Sequence, residues 1–430
     1  MVTTEVYKGG ENFDLRQVLL RGRTLRLREK TEVLGGFLAH LHESNENLCM
    51  RRIVSVADRT VIVIDPITHM RKRMLMFGSN NYLGLANHPH VCAMAEQAIR
   101  DYGAGVGGPP LLNGYTGLHR TLEERLAAFK GTEDALIFSS GYGANVGLVA
   151  GLMNPDDMVI YDAYSHASFC DGMTLSGVQS HRFPHNDIGR LRSILEAQRQ
   201  NSSRDIFIGV EGVYSMDGDI SPLDVVAGLA AQYDAIMLVD DAHGTGVMGP
   251  TGRGTAEHFG LEGKIDVVMG TFSKVFAATG GFVAASKPII DYLRYFARSY
   301  MFSASLPPAV IATVLGGLDV IEREPGLRER LHENVRYAVE GLHSIGIDVH
   351  PDAAIIPLRI PVGMNIRRMA FKFHSLGIFV NSVEYPAVPV SQQRFRISLM
   401  ATHTREDIDN LIEAIEKVWN EETAECGKVR

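Results

Sequence analysis

Cysteine is scarce in this sequence, with four residues, Cys49, Cys92, Cys170 and Cys426, in a chain of 430. The four lie far apart and form no C-x-x-C pair, so their spacing indicates neither a disulfide framework nor a zinc site. No apolar run is long enough to cross a membrane. The first residues, "MVTTEVYKGGENFD", lack the apolar core of a signal peptide and carry acids that a transit peptide avoids. These absences predict a cytoplasmic protein.

An excess of basic residues is also absent, because the formal net charge is -8. This balance gives no electrostatic reason to expect a nucleic-acid partner. A basic stretch does occur locally, "RQVLLRGRTLRLREK" over residues 16–30. We interpret it as a solvated helix face that packs on the protein body or on a second subunit. Contact with a membrane surface or an acidic partner is the alternative interpretation.

Short apolar runs alternate with helical patterns between about residues 60 and 300. Five of them are interpreted as buried strands: "ALIF" (135–138), "MVIY" (158–161), "IFIGV" (206–210), "AIMLV" (235–239) and "VVM" (267–269). Continuous apolar strands separated by helices indicate a largely parallel sheet that is covered on both faces. The pattern predicts an α/β protein with a large domain over residues 61–305.

The rest of the chain shows a different order of elements. After a long helical region come "IIPLRI", "IFVNSV" and "RFRISL", interpreted as three strands, and a last helix near residues 405–420. This order predicts a smaller C-terminal α/β domain over residues 306–430. Residues 1–60 are expected to form an N-terminal helical segment.

Polar and glycine residues follow each of the five predicted strands. Because ligands bind outside the carboxyl ends of the strands in an open α/β sheet, we expect these residues to meet at one edge. In chain order they are Gly141 and Tyr142, His166, Glu211 and Ser215, Asp240 and His243, and Thr271, Ser273 and Lys274. An acid, an imidazole, a phosphate cradle and a lysine at one sheet edge are what pyridoxal phosphate requires.

Each part of that cofactor has a candidate partner. Lys274 lies among small and hydroxyl residues in "GTFSKVFAATGG", where desolvation favours the neutral amine that forms a Schiff base. Asp240 can keep the pyridine nitrogen protonated, which makes the ring an electron sink. His243 can reach the ring oxygen, and His166 can lie over the ring face. The phosphate needs a helix N-terminus and hydroxyls, which are available from Gly141, Tyr142, Thr271 and Ser273.

Two other motifs permit different interpretations. By itself "DDAH" could be a cap and turn or a pair of metal ligands, although no metal is expected at this site. The glycines Gly103, Gly105 and Gly108 in "GAGVGG" match the dinucleotide motif G-x-G-x-x-G. That motif needs a strand before it and a helix after it, whereas in this chain a helical pattern precedes it and Pro109–Pro110 follow it. A nicotinamide cofactor is therefore not expected.

With these residues in place, the sequence resembles the α-oxoamine synthase family. The resemblance rests on "FGSNNYLGLANHP", "LNGYTGLHRTLEERLAAF", "YSHAS", "EGVYSMDGD", "VDDAHGTGVMG", "GTFSK" and "RFRISLMATHT", which run in order from about Met76 onward. It implies a fold-type I aminotransferase-like architecture, with a mostly parallel seven-stranded sheet in the large domain. It also implies a pyridoxal-phosphate enzyme that condenses an amino acid with an acyl thioester and releases carbon dioxide.

The resemblance adds roles that the strand pattern does not supply. It implies that Asn80 and Arg396 bind the amino-acid carboxylate. It places Ser215 near the ring oxygen and Glu211 near the cofactor edge. Family members are homodimers with shared active sites, so Ser303 in "MFSAS" is expected at the partner's phosphate. On a strand, Arg394 and Arg396 share a face, and the choice of Arg396 as the carboxylate ligand rests on the resemblance.

Several substrates remain open within the family. The stretches "LMFGSNNYLGL", "LNG", "MFSAS" and "PAVP" are most similar to the bacterial serine palmitoyltransferases, which favours serine and a long-chain acyl-CoA and a product such as 3-ketosphinganine. Alanine with a pimeloyl thioester, as in 8-amino-7-oxononanoate synthase, or a synthase of secondary metabolism, is the alternative. Pro109–Pro110 stand where relatives often have a small residue and an arginine, which leaves the carrier open between coenzyme A and an acyl carrier protein.

Two further classes of protein share this fold and compete with a synthase. One is a non-catalytic subunit, which would need none of Lys274, Asp240, His243 and His166. The other is an aminotransferase, for which the histidine in "DDAHGTG" is less fitting. We therefore expect an acyltransferase.

Overall fold

The computed structural model describes residues 15–199, 204–361 and 363–428. The N-terminal stretch "MVTTEVYKGGENFD" and the side chains of Arg21 and Cys426 lie outside this description. The cysteines that are described, Cys49, Cys92 and Cys170, are free thiols. None of the described helices is both long enough and apolar enough to span a bilayer.

Helices occur in all three of the described ranges. In chain order they are α1 (Leu15–Gly22), α2 (Leu27–Glu43), α3 (Pro89–Tyr102), α4 (Gly117–Lys130), α5 (Gly141–Leu152), α6 (Ala167–Ser176), α7 (Ile188–Arg199), α8 (Leu223–Gln232), α9 (Thr255–His258), α10 (Lys287–Phe296), α11 (Arg298–Met301), α12 (Pro308–Arg323), α13 (Pro325–Ser344), α14 (Ile366–Ser375) and α15 (Arg405–Lys428). Short 3-10 turns occur at Leu85–Asn87 and Val390–Gln392, and a π-helical turn occurs at Pro110–Gly114.

The strands of the described residues form three sheets. They are β1 (Arg52–Ile53), β2 (Thr60–Ile64), β3 (Arg71–Met76), β4 (Asp134–Phe138), β5 (Met158–Asp162), β6 (Gln179–Phe183), β7 (Ile206–Glu211), β8 (Ile236–Asp240), β9 (Val267–Thr271), β10 (Gly281–Ala285), β11 (Ile355–Arg359), β12 (Ile378–Phe379), β13 (Asn381–Val383) and β14 (Arg394–Ser398).

The central sheet has seven strands in the order β4-β10-β9-β8-β7-β5-β6. Strand β10 is antiparallel to both of its neighbours, and the pairs along the rest of the sheet are parallel. The predicted mostly parallel α/β sheet is confirmed, and the five predicted strands are β4, β5, β7, β8 and β9. Strands β6 and β10 complete the sheet and were not predicted.

Both faces of this sheet are buried, which is why its strands are continuously apolar. On β8, Leu238 packs in one core cluster with residues of α5, α6 and α10. Its neighbours Met237 and Val239 pack on the opposite face with residues of α7 and α8. Because helices cover both faces, polar side chains are free of the core only at the strand ends.

The C-terminal part contains the three-stranded antiparallel sheet β11-β14-β13 and helices α13, α14 and α15. The expectation of one strand at "IFVNSV" is wrong, because β12 and β13 belong to different sheets. Strand β12 pairs in parallel with β3 and completes the four-stranded sheet β1-β2-β3-β12. The proposed domain boundary at residue 61 therefore falls inside a sheet that joins residues 52–76 to residues 378–379.

The basic N-terminal stretch is divided between two helices, α1 and α2. Phe37 and Leu41 on α2 are buried, with Val18 of α1 packed against them. The Arg367 guanidinium of α14 lies 5.0 Å from the centroid of the Phe37 ring on α2, so one cation–π contact joins the two helices. The contact lies outside residues 16–30, so the interpretation of the basic stretch as a solvated face that packs on the protein body or on a second subunit stays a prediction.

Candidate functional site

The carboxyl ends of β4, β5, β7, β8 and β9 surround a cavity of about 360 Å³. Within the sheet, Glu211 at the end of β7 is directly opposite Asp240 at the end of β8. The cavity brings together most of the residues predicted from the strand ends. Those that line it are Gly141, Tyr142, His166, Glu211, Ser215, Asp240, Thr271, Ser273 and Lys274.

The amine of Lys274 is a weaker base than an ordinary lysine amine. Burial lowers its pKa to about 8, and the positive charge of Arg396 adds to this effect, against the opposing carboxylates of Asp240 and Glu211. Burial also raises the pKa of Glu211 well above its ordinary value, with the charge of Asp240 as a second cause. The neutral amine, which a Schiff base or a proton acceptor requires, is therefore much more accessible near neutral pH than in an ordinary lysine.

Asp240 is held by two donors. Asn145 Nδ2 donates to Asp240 Oδ2 at 2.7 Å, and the backbone N–H of Ala242 donates to Oδ1 at 3.1 Å. Asn145 was missed by sequence reasoning, although it lies four residues after Gly141 on α5 and so on the same helix face. That spacing was the available signal. A fixed carboxylate at this position fits the pyridinium nitrogen of pyridoxal phosphate.

His166 is the N-cap residue of α6. Its Nδ1 lies 2.7 Å from Ser168 Oγ and accepts the Ser168 backbone N–H at 3.2 Å. Burial lowers the pKa of His166, so the imidazole is neutral at neutral pH. A neutral ring that lines the cavity and is fixed through its Nδ1 suits contact with the face of a flat cofactor.

The N-terminus of α5 and the loop after β9 form the predicted anion cradle. Ser140 caps α5 by accepting the Gly143 backbone N–H at 2.9 Å. A Cβ atom at Gly141 would lie 2.6 Å from Thr271 Oγ1, so only glycine fits at this position. Thr271 Oγ1 lies 2.9 Å from Ser273 Oγ. Hydroxyls beside a helix N-terminus fit a phosphate group. The Tyr142 hydroxyl, in contrast, bonds Asp171 at the surface.

A second group of predicted residues lies behind the cavity wall. Arg396 Nη2 donates to Asn80 Oδ1 at 3.0 Å, and Arg396 Nε donates to the Ser215 carbonyl at 2.6 Å. His243 Nδ1 lies 2.7 Å from the Tyr82 hydroxyl. Because Ser215 lines the cavity, these bonds place the arginine beside it. Tyr82 was missed, although it follows Asn80 by two residues in "GSNNYLGL".

Burial shapes the ionisation of this group too. It holds the pKa of His243 well below its ordinary value, and the positive charges of Lys274 and Arg396 act in the same direction. It also raises the pKa of Tyr82 to about 12. Both rings are therefore uncharged at neutral pH, and Arg396 carries the positive charge of the group.

Arg394 has a different role from Arg396. It is fully buried, and its guanidinium donates to Asp217 Oδ1 at 2.5 Å and to the Met216 carbonyl at 3.1 Å. Its Nε donates to the Gln392 carbonyl at 2.9 Å. These bonds make Arg394 a structural group, whereas Arg396 is the arginine linked to the cavity.

Three other expectations concern residues outside the cavity lining. Ser303 lies in a neighbouring cleft that shares Ser139 with the cavity, so its expected contact with a partner's phosphate stays a prediction. The second acid of "DDAH", Asp241, receives the Lys130 ammonium at 2.7 Å and serves a structural ion pair. The glycines of "GAGVGG" follow helix α3 and precede a π-helical turn, as expected of a loop.

Known proteins resemble this chain over most of its length. The model of the family described as aminotransferase class I and II matches residues 72–415. A serine palmitoyltransferase from Bacteriovorax stolpii is 42% identical over 348 residues, covering 81% of this chain and 83% of that protein. An 8-amino-7-oxononanoate synthase from Geobacter metallireducens is 44% identical over 342 residues, covering 78% of this chain and 86% of that protein.

Solved structures agree with these similarities. A serine palmitoyltransferase from S. paucimobilis with bound PLP-myriocin aldimine has a TM-score of 0.87 at 33% identity, covering 93% of this chain and all (100%) of that chain. An 8-amino-7-oxononanoate synthase from Francisella tularensis has a TM-score of 0.70 at 28% identity, covering 81% of this chain and 99% of that chain.

Proposed function

Because the chain belongs to the class I and II aminotransferase family, and within it to the pyridoxal-phosphate-dependent α-oxoamine synthases, we propose that it condenses serine with a long-chain acyl thioester. The C-acyltransferase class and the cofactor follow from the relatives. The amino acid and the acyl group are the proposed part. The favoured carrier is coenzyme A, and the favoured product is an α-amino ketone such as 3-ketosphinganine.

One observation carries the choice of serine and a long acyl chain. The serine palmitoyltransferase from S. paucimobilis matches 93% of this chain at a TM-score of 0.87. The 8-amino-7-oxononanoate synthase structure matches 81% at a TM-score of 0.70. The extent of the match therefore supports a serine palmitoyltransferase, although the 44% identity to the Geobacter metallireducens enzyme favours the biotin-precursor reaction as the second candidate.

The residues of the cavity fit the cofactor part by part. Asp240 would pair with the ring nitrogen, His243 with the ring oxygen, and His166 with the ring face. Thr271 and Ser273 would bind the phosphate together with the N-terminus of α5. Pyridoxal phosphate supplies a conjugated ring that accepts the electron pair released at the α carbon of the amino acid.

The remaining chemistry belongs to the side chains. Arg396, oriented by Asn80 and the Ser215 carbonyl, would bind the substrate carboxylate through its charge. Lys274 Nζ, with a pKa of about 8, accepts the proton from the α carbon and returns a proton after carbon dioxide has left. The neutral His243 and His166 add no positive charge that would compete for the carboxylate. These residue roles, like those toward the cofactor, are part of the proposal.

The substrates are tested by two matched measurements on the cofactor-loaded protein. Serine, alanine and glycine are titrated separately while the visible spectrum is recorded. Each amino acid is then assayed with hexadecanoyl-CoA and with a pimeloyl thioester, and the product is identified by mass. We expect serine with hexadecanoyl-CoA to give the highest kcat/KM. A preference for alanine with the pimeloyl thioester would instead identify the biotin-precursor reaction.

The carboxylate ligand can be tested by comparing its two candidate arginines. We expect Arg396→Ala to raise the amino-acid KM by about 10- to 100-fold, because a charge-assisted hydrogen bond contributes about 1.5–3 kcal/mol. Arg394→Ala should lower the melting temperature, since it leaves the Asp217 carboxylate without its buried partner. Equal increases in KM for the two variants would contradict the assignment.

We further propose that the enzyme is a cytoplasmic homodimer. Large apolar side chains are exposed on α10 and just after α11, namely Tyr292, Tyr295, Phe296 and Phe302, and the rings of Tyr292 and Phe296 stack at 4.3 Å. Exposed large apolar residues mark interaction surfaces, and Ser303 directly follows Phe302 in the sequence. Sedimentation of the cofactor-loaded protein tests the proposal, and a monomer at micromolar concentration would contradict it.

A further inference from the structure

A second cavity, of about 300 Å³, lies beside the cofactor cavity. We call it the lateral cavity, and define it by residues 163–165 after β5, 214–217 after β7, 387–389 and Gln392 before β14, and Arg394 at the start of β14. Ser215 lines both cavities, and its carbonyl accepts the hydrogen bond from Arg396 Nε. The lateral cavity therefore adjoins the group proposed to bind the amino-acid carboxylate.

Much of the lateral cavity's wall is apolar. Ala163, Met216, Ala387, Val388 and Pro389 line it together with the rings of two tyrosines, Tyr164 and Tyr214. Residues 387–389 belong to the segment before β14, so this wall comes from the C-terminal part of the chain. Such a lining gains free energy when it contacts hydrocarbon.

The aromatic side of the wall is preformed. The ring of His185 stacks on Tyr164 at a centroid distance of 4.1 Å and meets the edge of Tyr214 at 4.5 Å. His185 is itself fixed between Asp162 at 3.0 Å and Asp219 at 2.7 Å. A ring held by two carboxylates keeps both tyrosines in place, so the cavity does not depend on a ligand for its shape.

The charged groups in the wall are paired with each other. Arg394 and Asp217 are the charged residues that line the lateral cavity, and they form an ion pair at 2.5 Å. The remaining nitrogens of Arg394 are used by Gln392, through its carbonyl and its side chain. The lining thus offers no unpaired cation to a terminal carboxylate, such as that of a dicarboxylic acyl group.

From position, lining and charge, we infer that the lateral cavity binds the uncharged hydrocarbon chain of the acyl thioester. The inference rests on the proposed condensing activity and extends it, because it assigns a binding site to the acyl chain. The side chain of serine, alanine or glycine is too short to contact the apolar wall along the length of the cavity. A dicarboxylic chain would bring a charge to a wall whose own charges are already paired.

The test narrows the cavity with Val388→Phe and compares it with Val390→Phe. Val390 is the same residue type, two positions further along the same loop, but it is exposed and does not line the cavity. Both variants are assayed as holoenzyme with serine and with butanoyl, octanoyl, dodecanoyl and hexadecanoyl thioesters of coenzyme A. Ala163→Leu is a second filling variant in case Val388→Phe does not fold.

We expect the filling variants to lose activity selectively with long chains. Each buried methylene contributes about four-fold to binding, so excluding about three methylenes lowers kcat/KM for the hexadecanoyl thioester by about 60-fold. The loss with the butanoyl thioester should be far smaller, and Val390→Phe should match the unaltered protein at every length. An equal loss at all lengths would overturn the inference.

A binding measurement separates this inference from the proposed function. A hexadecyl thioether of coenzyme A, which cannot react, is titrated calorimetrically into the unaltered holoenzyme and the filling variants. Weaker binding in the filling variants supports the lateral cavity even if turnover favours another amino acid. Equal binding in all of them overturns it, even if serine and hexadecanoyl-CoA prove to be the substrates.

Discussion

Lys274→Ala is expected to reduce turnover by about 10⁴-fold or more, since it removes both the amine that attaches the cofactor and the base that moves the α-proton. Burial lowers the pKa of Lys274 to about 8, so deprotonation to the reactive neutral amine costs less here than in an ordinary lysine. Turnover is measured as thiol released from the acyl thioester. Covalent attachment of pyridoxal phosphate, measured by mass after borohydride reduction, should be lost as well.

Two further variants make this result specific. Lys274→Arg keeps the positive charge near Asp240 and Glu211, but its guanidinium cannot attach the cofactor, so it should be as inactive as Lys274→Ala. Lys264→Ala removes an exposed lysine ten residues earlier and should leave both the turnover and the covalent attachment of the cofactor unchanged. Substantial turnover by Lys274→Ala would refute the assignment of this lysine.

Lys130→Met is expected to lower the free energy of unfolding by about 3–5 kcal/mol, the usual cost of leaving one partner of a buried ion pair alone. Lys130 Nζ donates to Asp241 Oδ2 at 2.7 Å, to Thr245 Oγ1 at 2.8 Å and to the Arg253 carbonyl at 2.6 Å. Asp241 is only 2% exposed. Without Lys130 its charge keeps hydrogen bonds from threonines but loses the ammonium that is paired with it. Urea titration measures the change.

A surface pair with the same geometry provides the control. Lys287 Nζ also lies 2.7 Å from a carboxylate oxygen, that of Asp291, but both side chains are well exposed to water. Lys287→Met should therefore change the stability far less. Adding Asp241→Leu to Lys130→Met should recover part of the loss, because the unpaired charge is then gone. If Lys130→Met and Lys287→Met unfolded at the same urea concentration, the buried Lys130–Asp241 ion pair would not contribute more to stability than the surface pair.

The Lys130 variant should also weaken cofactor binding. Asp241 stands between Asp240 and Ala242 in "DDAH", directly beside the acid proposed for the ring nitrogen. The bonds from Lys130 and from Thr255 fix Asp241, and with it the backbone that carries Asp240. Cofactor affinity measured by visible titration should fall for Lys130→Met and stay unchanged for Lys287→Met.

The large sheet could be predicted well from sequence, with two exceptions that have physical reasons. Strands buried on both faces are continuous apolar runs, which is a local property of the sequence. Strand β6, "QSHRF", lies at the sheet edge and is mostly exposed, so it carries no such run. Strand β10, "GFVAA", is rich in residues of low strand propensity and forms because β4 and β9 pair with it on both sides.

The sequence by itself determined the five buried strands β4, β5, β7, β8 and β9 and the polar residues at their ends, and so it predicted Lys274, Asp240 and His166 at one edge. In a parallel sheet the carboxyl ends of the strands lie at the same edge, whatever the path of the connecting loops. Residues that directly follow such strands are therefore close together. The supporting contacts needed the tertiary structure. Asn145 meets Asp240 across 95 positions, Lys130 meets Asp241 across 111, and Tyr82 meets His243 across 161. The periodicity of apolar residues is a local property and can be read from the sequence. Hydrogen-bond partners so distant in sequence come together only when the whole chain packs.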